Sequence, residues 1–527
     1  MKTIRLGSIP FLLALAGCAG ASVETKSAPQ AISAGSVEQV VGPAAAAATI
    51  TVEDVHQRLS FLASDEMRGR DTPSPELDRA AAYIAAEFER MGLEPAGVEG
   101  YYQYYALERR AVDAEKAHAS FTRGGKTTTL RYGADFFAAA GVPATVNGEV
   151  VFTGTAIAEG ASLDGKVALT YLPGQPDART LSRTAGSLVE AAEKAEASAV
   201  VFILGPEVGD QTIAQLARLN AEEPRRLSVG DLETIPAIFI SNARGKEILS
   251  GAGLDAGKLL VADAPAQVTA VAGTTAQVGA PARVYERHIA PNVVAVLPGS
   301  DPVLKNEYVV FSAHFDHVGV GQPDASGDSI YNGADDNASG TTGLLEVAEA
   351  FASLSEAPAR SLVFLAVSGE EKGLLGSRYY SDHPTLPIEQ TVANINVDMI
   401  GRNAPDSIVV IGQEYSSLGP LVREVAAAHP ELGLTVARDL WPEQRFFFRS
   451  DHFNFARKDV PALFFFAGVH EDYHRPSDEV ENIDLDKTTR VARLIFYTAY
   501  EIANRPTPPQ WTEEGLREMR GLIQRGR

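Results

Sequence analysis

The stretch Gly333-Ala334-Asp335-Asp336-Asn337-Ala338-Ser339-Gly340 runs directly into the apolar segment 341–351. Small residues around two carboxylates suit a tight loop, and the segment behind them has helical periodicity, so the acids are expected at a helix N-terminus. Free amides and the helix dipole favour anionic side chains there. A carboxylate held in that position can lend one oxygen to each of two metal ions. Ordinary caps and turns use the same residues, so the loop has to be read with its neighbours.

Outward from this loop, strand-length apolar runs at 292–297, 308–312, 362–367, 392–397, 408–411 and 462–466 alternate with helical stretches at 341–354, 374–381, 418–429 and 485–503. The alternation predicts an α/β fold, a mostly parallel central sheet flanked by helices. Ligands gather at the carboxyl ends of strands in such sheets. Polar clusters fall there: His314-Phe315-Asp316-His317, Ser368-Gly369-Glu370-Glu371, Asn396-Val397-Asp398 and Tyr473-His474-Arg475-Pro476-Ser477-Asp478. In His-x-Asp an imidazole can bind a metal while the acid orients it. Two adjacent glutamates at a strand end point in different directions, so one can ligate while the other faces a water. Imidazole and carboxylate donors without thiolate suit zinc.

The rest of the chain divides by composition. Lys2 and Arg5 precede a short apolar run that ends at Cys18, the single cysteine, so residues 1–18 are expected to be a signal peptide. The run is too short to cross a bilayer, which needs roughly 20 apolar residues. Residues 19–50, rich in Ala, Ser, Gly, Val and Pro without periodicity, read as a flexible tether. Residues 51–135 begin the folded part, with helical stripes at Val55, Leu59, Leu62 and at Leu77, Ala81, Ile84, Phe88. Short β-branched runs broken by Gly and Pro over 136–281 predict a compact α+β insert, followed by the catalytic segment 282–505 and a charged tail, 506–527. A net charge of -22 disfavours nucleic acid and anionic membrane as partners.

Taken in order, His-x-Asp, Gly-Ala-Asp-Asp-Asn-Ala-Ser-Gly, Gly-Glu-Glu-x-Gly-Leu-Leu-Gly-Ser, Asn-x-Asp-Met-Ile-Gly and Tyr-His-x-Pro-x-Asp resemble the motifs of the di-zinc aminopeptidases of metallopeptidase clan MH, family twenty-eight. The resemblance implies the zinc exopeptidase fold, two Zn2+ and a peptide substrate. It implies that His314, Asp336 and Asp398 hold one zinc and that Asp336, Glu371 and His474 hold the other. The family's bridging acid stands three residues before Ser-Gly, which selects Asp336, and its peptide bond to Asn337 is expected to be cis. Glu370 would be the general base that takes a proton from a water bridging the two ions, with Asp316 as the partner of His314. Tyr473 is a candidate donor to the oxyanion or a substrate contact, and packing is the alternative. His317 and His470, with the five ligand positions filled, are read as supporting or surface residues.

The segment 136–281 resembles a protease-associated domain. Leu15-Ala16-Gly17-Cys18 resembles a bacterial lipobox, which implies lipidation at Cys18, contact with membrane only through that anchor, and an outer-membrane location facing the periplasm; secretion is the alternative. Trp441, Phe446, Phe447, Phe448 and Phe464 are candidates for an apolar pocket, with packing in the core as the equal alternative. Ser450-Asp451-His452 is not read as a serine triad, because a triad needs convergence in space rather than adjacency. The fold also hosts carboxypeptidases, glutaminyl-cyclase-like enzymes and non-catalytic receptors, which remain alternatives.

Overall fold

The computed structural model describes residues 37–138, 145–174, 178–224, 227–230 and 234–526. The expected signal peptide, with Cys18, lies outside the described residues. Two large sheets organise the chain, one of ten strands and one of eight.

The ten-stranded sheet carries the site. At its centre Ser361–Val367, Tyr308–His314, Thr391–Val397 and Ala462–Phe466 are parallel neighbours. Its wings are antiparallel: Ala282–Leu297 and Tyr102–Val112 on one side, Ser407–Ile411 on the other. The expected parallel arrangement therefore holds for the centre, and the whole is a mixed α/β sheet flanked by helices. Every residue of Ser361–Val367 is buried, because both faces are covered, which is why the sequence there is continuously apolar. Phe311 and Phe364 face a core shared with helices Val52–Leu62, Pro75–Arg90, Gly340–Ala352 and Leu485–Asn504. Val310, Val363 and Leu365 face the opposite side, against Tyr380 and Phe455.

The second sheet branches off where Tyr102–Val112 and Ala282–Leu297 pair antiparallel, with Val112 opposite Ala282. Two chain ends lying side by side let a module leave and re-enter without disturbing the parallel centre. Its strand order runs from Lys126–Leu130 through His118–Arg123, Thr269–Gly279, Thr145–Gly154, Val167–Leu172, Ala199–Leu204 and Ala237–Ile240 to Phe136–Ala138. The module thus takes strands from 118 onward, ahead of the composition boundary at 136. A hairpin turning on Gly124 and Gly125, both at positive φ, supplies them. Its polar Lys126-Thr127-Thr128-Thr129 arm gave no apolar signal. Ser228–Val229 returns from the module to pair with Leu107 and Glu108 at the edge of the first sheet.

Two segments differ from their compositional reading. Pro43–Thr49, assigned to the tether, is a helix; Ala46, Ala47 and Ile50 are buried in the main core. Alanine is the best helix former and its small side chain lets a helix pack closely, so the run that reads as low complexity docks instead. The tail contains the helix Glu513–Gly526, whose Met519 is buried beside Tyr415 and Phe447. Trp511 Nε1 donates to Asp459 O at 2.7 Å. Among the described residues no helix is long and apolar enough to cross a membrane.

Candidate metal centre

The loop 333–340 does not cap its helix with aspartate. Asn337 Oδ1 accepts from Gly340 N at 2.9 Å and also from Met399 N at 3.1 Å, tying the helix start to the Asp398 loop. Both acids are instead positioned through their backbone. Asp478 accepts from Asp335 N at 3.0 Å and from Asp336 N at 3.1 Å. The Asp336-Asn337 peptide is cis, as expected. Asp335 turns away from the cleft, where its Oδ1 accepts from Gly401 N at 2.7 Å and its Oδ2 lies 3.3 Å from His470 Nε2.

Asp336 faces the other way and divides its oxygens between two groups. Its Oδ1 lies 3.4 Å from His314 Nε2, which is also 3.4 Å from Asp398 Oδ1. Its Oδ2 lies 3.0 Å from His474 Nε2, which is 3.2 Å from Glu371 Oε2. The five expected ligands thus converge from four strand ends and one loop. His314 Nδ1 donates to Asp316 O at 3.2 Å, leaving Nε2 as the lone-pair donor aimed at the acids. Asp316 does more than face His314: its Oδ1 accepts from Glu370 N at 3.2 Å, and its Oδ2 accepts from Thr72 Oγ1 at 2.9 Å. Asp398 Oδ2 accepts from Ser450 Oγ at 2.7 Å, so Ser450 serves a carboxylate and no serine triad forms.

Electrostatics confirm how crowded the negative charge is. Burial alone would lower His314, yet Asp398, Glu370, Asp316 and Asp336 hold it well above the ordinary imidazole value. His474 is held up to about 10 by Asp336 and Glu371 against the same burial penalty. Burial, together with Glu371, Asp451 and Asp398, raises Glu370 well above an ordinary glutamate, against the attraction of His314. Burial and the surrounding carboxylates likewise keep Tyr473 protonated, with its ring stacked on His474 at 3.9 Å.

These residues fit zinc. Asp398 Oδ1, Glu371 Oε1 and His474 Nε2 are buried atoms with no hydrogen-bond partner, a costly state unless a cation satisfies them. Two groups of donor atoms lie within 4.8 Å of one another, close enough to surround an ion: His314, Asp336, Asp398, and His317, Asp336, Glu371, His474. Oxygen and imidazole donors suit Zn2+. His317 is fully buried and the side chain of His470 is 3% exposed, which removes the surface reading of both.

Support also comes from the N-terminal part, where sequence reading found no chemistry. The buried Arg70 guanidinium donates to Phe315 O and Gly333 O, both at 2.8 Å, and to Asn332 O. It joins the His314 loop to the Asp336 loop. Only the oddity of Arg68-Gly69-Arg70 in an otherwise amphipathic helical region could have drawn attention to it. Phe446, Phe464 and Phe466, with Met399 and Val469, line one wall of a cleft beside Glu370 and Tyr473. Of the five expected aromatics, Phe446 and Phe464 line it, while Trp441, Phe447 and Phe448 pack behind.

Residues 292–499 match the model described as Peptidase family M28. Among curated proteins, aminopeptidase YwaD of Bacillus subtilis is 25% identical over 224 residues, 40% of this chain and 44% of that protein. The chain spans about half the length of the first curated relatives it matches, 44% and 58%. Among solved structures, an aminopeptidase from Aneurinibacillus sp. strain AM-1 aligns with a TM-score of 0.45 at 21% identity, over 89% of this chain and 97% of that one. A zinc aminopeptidase from Bacillus subtilis aligns with a TM-score of 0.44 at 17% identity, over 86% and 96%. The segment that supplies every donor of the metal centre is thus the segment that matches peptidase family M28.

Proposed function

We propose that this protein is a zinc-dependent exopeptidase, an aminopeptidase releasing N-terminal residues from peptides. The observation that carries the proposal is Asp336 presenting one oxygen to each of two donor groups beside the raised carboxyl of Glu370. His314, Asp336 and Asp398 would hold one Zn2+, and Asp336, Glu371 and His474 the other. Bound there, a zinc pair supplies Lewis acidity and lowers the pKa of a water. Glu370 stands at the cleft to take the proton of that water and return it to the departing amine. Asp316 fixes the start of the Glu370 loop and the tautomer of His314 at once. Tyr473, kept protonated, is placed to donate to the carbonyl oxygen. The aromatic wall favours an apolar side chain at the scissile residue.

Hydrolysis of leucine anilide but not of its N-blocked counterpart, abolished by chelator and restored by zinc, tests this reading. Cleavage of the blocked substrate alone would replace it with another peptidase polarity. The same proposal extends to a protease-associated role for the second module and to lipidation at Cys18 with an outer-membrane location. Cys18→Ser followed by cell fractionation tests the anchor, and wild-type protein already free in the periplasm or medium would dismiss it.

A further inference from the structure

His317 has no role in the ligand set above, yet its surroundings are those of a ligand. It is fully buried. Its Nδ1 lies 2.9 Å from Glu371 Oε1 and 3.8 Å from Asp336 Oδ2. Beyond this approach to Glu371, neither ring nitrogen of His317 has a hydrogen-bond partner among the described residues. The ring stands at 78° to that of His474, centroids 5.4 Å apart, so the two imidazoles converge edge to face rather than stack. It also has little room to turn away. A Cβ on Gly333 would fall 2.4 Å from His317 Cγ, and Gly333 sits at φ 57, so the site keeps a glycine where the ring presses on the loop.

A buried imidazole whose only polar neighbours are carboxylates that themselves face other donors carries a desolvation cost that a cation would relieve. One cation would satisfy it together with its neighbours. Zn–N and Zn–O bonds of roughly 2.0–2.1 Å in a tetrahedron put donor atoms about 3.3 Å apart. The separations within this group, 2.9, 3.0, 3.2 and 3.8 Å, bracket that spacing.

We infer that His317 is a direct fourth protein ligand of the ion held by Asp336, Glu371 and His474, which makes the two metal sites unlike. The inference rests on the zinc reading above and deepens it. Three protein donors would serve the His314 site and four the His474 site, which would make the latter the tighter of the two. The four-donor site retains its ion longer than the three-donor site does.

X-ray absorption on the full chain loaded with two equivalents of zinc reads this directly. Three imidazoles per two ions are expected, against two if His317 is not a ligand. Competition with a chromophoric chelator is expected to resolve two zinc affinities in the wild type. In His317→Ala the tighter affinity should fall more than about 100-fold, beyond the roughly 10–100-fold typical of an orienting group, and the imidazole count should drop to two. His317→Gln provides a second variant of similar bulk, and the wild-type count decides the matter even if neither variant folds. Two imidazoles per two ions in the wild type, or an unchanged count in a folded variant, would overturn the inference while leaving the peptidase reading intact. A wild-type chain that binds no zinc would end both.

Discussion

The two sheets of this protein are built from similar apolar strands but treat polarity in opposite ways. In the ten-stranded sheet, strand interiors contain Ser312, Asn394 and Asn396, all fully buried, and these bond one another: Ser312 Oγ donates to Asn396 Oδ1 at 2.7 Å, and Asn394 Nδ2 donates to Ser312 Oγ at 3.0 Å. Asn396 Nδ2 then donates at 2.8 Å to Ser450, which donates to Asp398. A polar seam runs through the sheet to the metal centre. The eight-stranded sheet has no such seam leading to a donor cluster among the described residues; Phe137, Phe202 and Phe239 stack across its strands, with centroids 4.7 and 4.9 Å apart. Satisfied polar networks hold side chains in one arrangement, whereas apolar packing supplies stability without aiming anything. One sheet is organised to point groups at a cleft, and the other to stay folded.

The largest test of that contrast is Asp336→Asn. The amide removes the donor oxygen from one group and the negative charge from both, so zinc content should fall towards zero and activity to background, measured by metal analysis and anilide hydrolysis. Retention of two tightly held zinc ions would remove the bridging role. Glu370→Gln should leave zinc bound while kcat falls about 10²–10⁴-fold, the range for general acid–base groups. Full turnover in that variant would assign the base elsewhere.

A change in the second sheet should behave oppositely. Phe239→Ala, at a fully buried ring between two others, is expected to cost about 3–5 kcal/mol in denaturant unfolding with kcat/KM essentially unchanged. A tenfold loss of kcat/KM instead would mean that the module shapes the site.

The smallest effect concerns His452, buried against Phe447 and Phe464 behind the cleft. Burial pushes it down from 6.5 to about 3. The unfolded chain therefore takes up the proton first, so its contribution to stability is complete above pH 6.5 and is lost as pH falls towards 3. The slope for one proton is at most about 1.4 kcal/mol per pH unit. His452→Phe should flatten urea-unfolding stability between pH 7 and pH 5 by that amount, and identical slopes would show that His452 is protonated in the fold.

The central strands, the flanking helices and the polar clusters at His314, Asp335-Asp336, Glu370-Glu371, Asp398 and His474 could be read in the sequence because each signal is local, while the choice within each acidic pair came from the family resemblance. An apolar run marks a buried strand, and a polar cluster directly after it marks the strand end. Pro43–Thr49 and the helix Glu513–Gly526 were misread because their partners are distant: the first docks on the core of helices Gly340–Ala352 and Leu485–Asn504, the second on Tyr415. Arg70, Thr72 and Asp478 act by bonding backbone atoms far along the chain, and such bonds leave no periodicity or spacing behind.

The sequence by itself determined which side chains were chemically able to hold zinc and which strands would end beside them, because covalent neighbours set both. Only the tertiary structure decided that Asp336 faces the cleft while Asp335 turns to His470, and that His317 enters the donor group. Those outcomes depend on where a ring or carboxylate points once distant loops are pinned together, and Arg70, Asn337 and Asp478 do that pinning only in the folded chain.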